Sequence, residues 1–357
     1  MEKNSFFLKE GVFVGENAPT ALNVLLGANT KSQMIVEKKK IEALLDCGLP
    51  ISIMTDLSLF SSNLEQPLWD IVAKDGRCIP GTVPVYQVVE DNGSIDKNRL
   101  LELIQLQSEN GVRIITIHPT PTMELLQLSK KRIVPITSRG GASICFDMIK
   151  NHRNQNVYLE ILDEIINIAR KKSVVLSIGS SFRSANLHDS LDEVFYRELE
   201  SQLSLADYCL QQGVNAIIET PGHVTPQGIF KLCDYLTKTC QHPIMPLGPM
   251  PTDCAFEEDD VAGSIGAVLM GTKGCADILS VVTKDEHLGG IPSKETIISA
   301  VKKYAVAKHI IDIYKTGDSF EDLTVAVKRS KNASCIINSS DCSRCNSLCP
   351  LKIPLWE

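Results

Sequence analysis

Arg113-Ile-Ile-Thr-Ile117 is a short β-branched apolar run, with the helical pattern Leu100–Gln107 before it and His118 immediately after it. Five such residues between polar segments read as a strand. Working outward, the same unit recurs on both sides. Upstream, runs lie at 82–86 (Thr-Val-Pro-Val-Tyr) and 51–55 (Ile-Ser-Ile-Met-Thr). Downstream they lie at 133–137 (Ile-Val-Pro-Ile-Thr), 174–178 (Val-Val-Leu-Ser-Ile), 215–218 (Asn-Ala-Ile-Ile), 243–247 (Pro-Ile-Met-Pro-Leu) and 277–282 (Asp-Ile-Leu-Ser-Val-Val). Helical patterns at Tyr158–Arg170, Leu191–Gln212 and Gln227–Thr239 separate several of them. Strands alternating with helices imply a parallel sheet. Eight units over residues 51–295 match a (βα)8 TIM-type barrel, an α/β fold of about 250 residues. The competing open, doubly wound sheet loses its dinucleotide version, because no Gly-x-Gly-x-x-Gly follows the first strand. Two prolines make 243–247 the least strand-like run.

The flanks are different in character. Residues 1–30 have no strong period, and Lys31–Cys47 carries Ile35, Ile41, Leu44 and Leu45 at helical spacing. Beyond Pro292, Lys294–Tyr314 reads as a long helix closed by Thr316-Gly317-Asp318, and Phe320–Ser330 as a second. The chain is thus expected to divide into an N-terminal segment (1–30), a catalytic barrel (31–293), a helical C-terminal region (294–331) and a cysteine-rich tail (332–357).

Composition excludes several classes of function. The formal net charge is -7 with no basic block, so no nucleic-acid footprint is expected. No run approaches 18 apolar residues, so no membrane span is expected. The N-terminus lacks the apolar core of a signal peptide, and 12 cysteines without one point to a reducing, cytoplasmic setting. Eight of them (Cys47, Cys78, Cys145, Cys209, Cys233, Cys240, Cys254, Cys275) are scattered and read as small buried hydrophobes.

The other four are grouped. Cys342-Ser-Arg-Cys345-Asn-Ser-Leu-Cys349-Pro350 follows Cys335 by seven residues. Three readings stay open: a four-cysteine structural zinc site, an electron-transfer iron–sulfur cluster, or a 4Fe–4S cube on Cys342, Cys345 and Cys349 with one iron open to a substrate.

In a barrel of this kind, working residues follow the C-terminal ends of strands. Those positions hold Tyr86, His118, Ser138-Arg139-Gly140-Gly141, Arg183, Glu219, His223 and Glu286-His287. Ser138–Gly141 is either a phosphate cradle at a helix N-terminus or a tight turn with a surface arginine. His223 and His287, 64 residues apart, either share a zinc or ferrous ion or are polar histidines bonded to carbonyls.

Together these residues resemble the ThiC family. The resemblance is carried by Gly81-Thr-Val-Pro-Val-Tyr-Gln87, Thr116-Ile-His118, Ser138-Arg-Gly-Gly141, Glu219-Thr-Pro-Gly-His-Val224, Leu247-Gly-Pro249 with Thr252-Asp253, Ile265-Gly-Ala267, Gly274-Cys-Ala276 and Val282-Thr-Lys-Asp-Glu-His-Leu-Gly289. It runs in order from about residue 20 to the end, without the extra N-terminal domain of longer members.

The resemblance implies a barrel, a helical region and a mobile cluster-bearing tail. It implies a radical S-adenosylmethionine lyase whose cluster, on Cys342, Cys345 and Cys349, generates a 5′-deoxyadenosyl radical. The substrate implied is aminoimidazole ribotide, rearranged to the hydroxymethylpyrimidine phosphate of thiamin. An external electron donor is needed, and the implied assembly is a homodimer in which one subunit's tail closes the other's barrel. By position, His223 and His287 hold zinc or iron. Tyr86, His118, Ser138, Arg139, Gly140, Arg183 and Glu219 line the substrate site, with Glu219 and His118 as the catalytic pair.

Some positions depart from the family. Its substrate-site asparagine falls at Leu25, the methionine of its first strand at Thr55, and its tyrosine before Leu-Gly-Pro at Met245. Its Asp-Gly-Leu-Arg becomes Ser180-Ser-Phe-Arg183, and Cys345 and Cys349 enclose only three residues. Losing a carboxylate and a phenol removes hydrogen-bond partners from a polar substrate. Two alternatives therefore stand beside the thiamin reaction. One is a paralogue converting the same ribotide to 5-hydroxybenzimidazole for cobamide lower ligands. The other is a catalytically silent partner or binding subunit.

Overall fold

The computed structural model describes residues 3–59, 66–338 and 342–353, and within them eight parallel strands close into a barrel. A two-stranded antiparallel hairpin, β1 (Phe6–Lys9) and β2 (Val12–Val14), precedes it. The barrel strands are β3 (Ala21–Leu26), β4 (Ile53–Asp56), β5 (Ile79–Thr82), β6 (Ile114–Ile117), β7 (Val175–Ile178), β8 (Ala216–His223), β9 (Ile244–Met250) and β10 (Ile278–Val281). Each pairs with its sequence neighbour, and β10 closes onto β3 through Ile278↔Ala21 to Val281↔Val24.

Period-2 alternation sorts the strand residues between two environments. Outward-facing Leu22, Val24, Met54, Ile115, Ile117, Leu176, Ile178, Ile218, Leu279 and Val281 pack against the helices in the main core. Inward-facing Ala21, Ile53, Ile79, Ile114, Val175, Ile217 and Ile278 form a separate apolar floor at the strands' N-terminal ends. Phe6, Leu8 and Val14 of the hairpin pack into that floor and plug it from below. Two residues beyond the floor, on the same strands and the same face, the lining turns polar or small: Asn23, Thr55, Gly81, Thr116, Ser177, Glu219 and Ser280.

Several of the sequence expectations differ from the structure. Residues 133–137 form no strand. Ile133 is 71% exposed, Pro135 has no N–H, and the amides of Ile133 and Val134 donate to the Asp189 carboxylate at 3.0 and 2.9 Å instead of to a ladder. The missing barrel strand is β3, inside the stretch read as aperiodic. Ala-Leu-Asn-Val-Leu-Leu is apolar on both faces except at Asn23, which hides the alternation. The run at 82–86 is also shifted: β5 ends at Thr82, and Tyr86 stands on a short helix, Val85–Val88. In contrast, β9 is a full barrel strand despite Pro246 and Pro249.

The helices agree closely with their patterns. They include Lys31–Asp46, Lys97–Glu109, Glu193–Gln211, Pro226–Thr239 and Lys294–Thr316, the last ended by Gly317 at φ 71°. The Tyr158–Arg170 pattern breaks at Ile161 into two helices, Val157–Glu160 and Leu162–Lys172. The helix Phe320–Lys331 buries no side chain. Among the scattered cysteines six are buried, whereas Cys47 is half-buried and Cys254 exposed. Among the described residues no helix is long and apolar enough to cross a membrane.

Candidate active site

Two adjoining cavities open at the C-terminal end of the strands. The inner one, about 90 Å³, is lined by Asn23, Thr55, His118, Ser138, Ser180, Arg183, Glu219, Met245 and Ser280, among others. The outer one, about 640 Å³, reaches from Arg139 and Arg183 to His223 and His287. Tyr86, Arg183, Leu25, Leu57 and Leu247 line both, so they form a continuous space.

Glu219 stands in the polar layer of the barrel. The hydroxyls of Thr116 and Ser177 donate to its Oε1 at 3.1 and 3.0 Å. No protein donor addresses Oε2 among the described residues, so that oxygen is left to the cavity. Gln202, from the helix Glu193–Gln211, donates to the Glu219 carbonyl at 2.7 Å and to that of Ile178 at 2.8 Å. It thereby ties β7 to β8 just below the mouth. On the far wall, Asn23 accepts from Thr55 Oγ1 at 2.8 Å.

His118 is wedged between two glycines. A Cβ on Gly140 would stand 2.3 Å from its ring, and one on Gly179 would stand 2.8 Å away. Only glycine permits this approach, which fixes the imidazole against the first turn of the helix Arg139–Lys150. Burial pushes the His118 pKa down to about 3, with the Arg183 charge adding to the effect, so the ring is neutral near pH 7. A histidine depressed in the folded state disfavours folding as pH falls through its unfolded pKa, near 6.5. Between pH 7 and pH 5 the protein is therefore expected to lose about 2 kcal/mol more stability than a His118→Gln variant. Urea unfolding at the two pH values measures this, and parallel losses in both proteins would show that His118 is not held neutral.

Ser138 caps that helix, its Oγ accepting from Gly141 N at 3.2 Å, which leaves the Arg139 and Gly140 amides at a helix N-terminus. The Arg139 guanidinium lies 4.9 Å from the centroid of the Tyr86 ring. Burial raises the Tyr86 pKa although Arg139 and Arg183 pull it down, so the phenol stays protonated. Arg183 donates to the Ser180 carbonyl at 2.9 Å. Its loop rests on a buried carboxylate that the sequence reading missed. Glu198 accepts from the amides of Ser181 and Phe182, each at 2.7 Å, and from Thr120 Oγ1 at 2.6 Å. The available signal was a polar pair, Glu198 and Gln202, on the buried face of an amphipathic helix.

His223, at the end of β8, and His287, after β10, come together with ring centroids 5.1 Å apart. Each Nδ1 meets a carboxylate, His223 with Asp253 at 2.7 Å and His287 with Asp259 at 2.9 Å. Burial lowers the His223 pKa, against the raising effect of Asp253.

A family model described as the radical SAM ThiC family matches residues 2–335. This chain belongs to the ThiC family. The phosphomethylpyrimidine synthase of Thermodesulfovibrio yellowstonii is 31% identical to it over 313 residues, covering 85% of this chain and 72% of that protein. Among solved structures, Yersinia pestis DHPS is similar at TM-score 0.46 and 10% identity, over 88% of this chain and 100% of that one. The phospho-2-dehydro-3-deoxyheptonate aldolase of Thermotoga maritima is similar at TM-score 0.46 and 13% identity, over 87% and 75%.

ThiC membership implies a 4Fe–4S cluster and S-adenosylmethionine. The family match ends at residue 335, before Cys342, Cys345 and Cys349. All three are free thiols, Cys349 buried, Cys342 half-buried and Cys345 exposed; Cys345 and Cys349 flank a short 3-10 turn, Asn346–Leu348, and Cys342 precedes it. Asn346 has φ 47°, a left-handed kink between the second and third thiols. The donors suit an iron–sulfur cluster in kind, yet among the described residues none from the tail lines either cavity. Among the described residues, no three Cys, His, Asp or Glu groups stand close enough to hold a metal. The histidine pair offers two nitrogens, fewer than a closed zinc site requires, so an ion there would take its other ligands from water or substrate.

Four positions expected from the sequence to depart from the ThiC pattern are dispersed along the chain. Leu25, Thr55, Ser180 and Met245 all line the inner cavity.

Proposed function

We propose that this protein is a radical S-adenosylmethionine carbon–carbon lyase acting on aminoimidazole ribotide, with hydroxymethylpyrimidine phosphate as its product. The observation that carries this reading is the shared lining of the inner cavity by Tyr86, His118, Ser138, Arg183 and Glu219 at the strands' C-terminal ends. The Arg139 and Gly140 amides and the Arg139 guanidinium suit a phosphate at the cavity rim. Neutral His118 and the protonated Tyr86 phenol suit uncharged polar groups of the substrate. Glu219 Oε2 is the oxygen that exchanges a proton with the substrate. Cys342, Cys345 and Cys349 of the 332–357 tail would hold the cluster, which would supply the electron for S-adenosylmethionine cleavage, with an external donor as its source. His223 and His287 would hold zinc or iron.

The homodimer belongs to this reading. An exposed apolar stripe on the C-terminal helices supports it: Val306, Ile310 and Tyr314, then Phe320, Leu323 and Val327. Light scattering that returned a monomer would remove it. A cytoplasmic setting is part of the same proposal, and localisation of a tagged chain to any other compartment would count against it.

A second reading has its own observation. Convergence of Leu25, Thr55, Ser180 and Met245 on the inner cavity supports an altered outcome from the same ribotide, such as 5-hydroxybenzimidazole. One assay separates the readings. Anaerobically reconstituted protein, given reductant, S-adenosylmethionine and aminoimidazole ribotide, is expected to yield hydroxymethylpyrimidine phosphate by mass spectrometry. Benzimidazole instead would select the second reading, and no consumption of either substrate would leave the silent-subunit alternative.

A further inference from the structure

We infer that the seven-residue segment Asp253–Asp259, following β9, is a positioning device that aims both imidazoles at one divalent transition-metal ion. The inference rests on the reading that His223 and His287 share a metal. In the barrel, β9 lies between β8 and β10, so its following segment reaches the two histidines from between them. Each end of the segment offers a carboxylate, and each carboxylate bridges an imidazole and a backbone amide. Asp253 Oδ1 meets His223 Nδ1 at 2.7 Å, while its Oδ2 accepts from Leu187 N at 3.0 Å. Asp259 Oδ1 meets His287 Nδ1 at 2.9 Å, while its Oδ2 accepts from His287 N at 3.3 Å.

This pattern has a chemical consequence. A carboxylate facing Nδ1 keeps the proton there, so the Nε2 lone pair of each ring is available to a metal. Two fixed carboxylates behind the rings also offset the charge of the ion. An Asn side chain has one acceptor oxygen, so it must give up either the imidazole or the amide.

The two halves are unequal. The His223 backbone is also held by Ser184, through His223 N to Ser184 O at 3.0 Å and Ser184 Oγ to His223 O at 2.6 Å. The His287 side chain is 51% exposed, while Asp259, at 5%, takes both its ring and its amide. Asp259 is accordingly the more important of the two.

The test is titration of the full chain with Co²⁺ alone, followed by calorimetry and visible absorption. The component abolished by His223→Ala and by His287→Ala defines the site, so binding to the tail thiols does not count. Asp259→Asn is expected to weaken that component about 10–100-fold, and Asp253→Asn by less, with an altered ligand-field spectrum and an unchanged thermal unfolding midpoint. If Asp259→Asn does not fold, a weakened component in Asp253→Asn still supports the proposal. Wild-type affinity and spectrum in the folded Asn variants would overturn it while leaving the metal pair standing. No histidine-dependent component in the wild type would overturn the metal pair and the proposal together.

Discussion

Replacing Glu219 by glutamine is expected to lower kcat by about 10²–10⁴-fold, the usual worth of a positioned general acid or base, and to leave KM for the proposed ribotide substrate nearly unchanged. The surroundings of the side chain make this a clean substitution. Both protein donors, Thr116 and Ser177, address Oε1, which the amide of glutamine retains as an acceptor. Gln202 binds the Glu219 carbonyl, which the substitution does not touch. What changes is the other terminal atom, from an oxygen that can take up and return a proton to an NH₂ that cannot. A fall in kcat and kcat/KM together marks loss of a group used in the transition state. A rise in KM alone would make Glu219 a binding residue, and unchanged kinetics would remove it from the site.

Serine in place of Cys342, Cys345 or Cys349 is expected to abolish S-adenosylmethionine cleavage, whereas Cys335→Ser should retain it. A cluster that chelates S-adenosylmethionine needs one iron free of protein ligands, so three thiolates are required and a fourth would block it. The left-handed Asn346 lies between Cys345 and Cys349, where the shortened spacing has to turn sharply for three thiols to converge. Anaerobic reconstitution of each variant, with iron content and cleavage product measured, checks this. Loss of the cluster in Cys335→Ser alone would establish a four-cysteine site, and the radical mechanism would fail with it.

The barrel was legible because parallel strands buried on both faces leave strong apolar runs, and helices such as Lys294–Thr316 announce both ends. The same signal misled where burial and pattern parted. Residues 133–137 have strand-like composition, but a carboxylate and a proline take the place of a ladder, while β3 was masked by being apolar on both faces. Mouth residues such as His118, which directly follows β6, and Glu219 and His223, which lie on β8, could be read because their relation to an apolar run is local. Asp259 and Glu198 could not, since each acts across 28 residues to His287 or 16 and 17 to the Phe182 and Ser181 amides.

By itself the sequence determined the fold class and the family, since periodicity and motif are properties of neighbouring residues. Tertiary structure alone decided which distant residues share a space. Closing β10 onto β3 brings Leu25, Thr55, Ser180 and Met245 to one cavity. Placing β9 between β8 and β10 sets Asp253 and Asp259 behind two histidines 5.1 Å apart. Contacts of that range follow from strand order and register, which no single stretch of chain encodes.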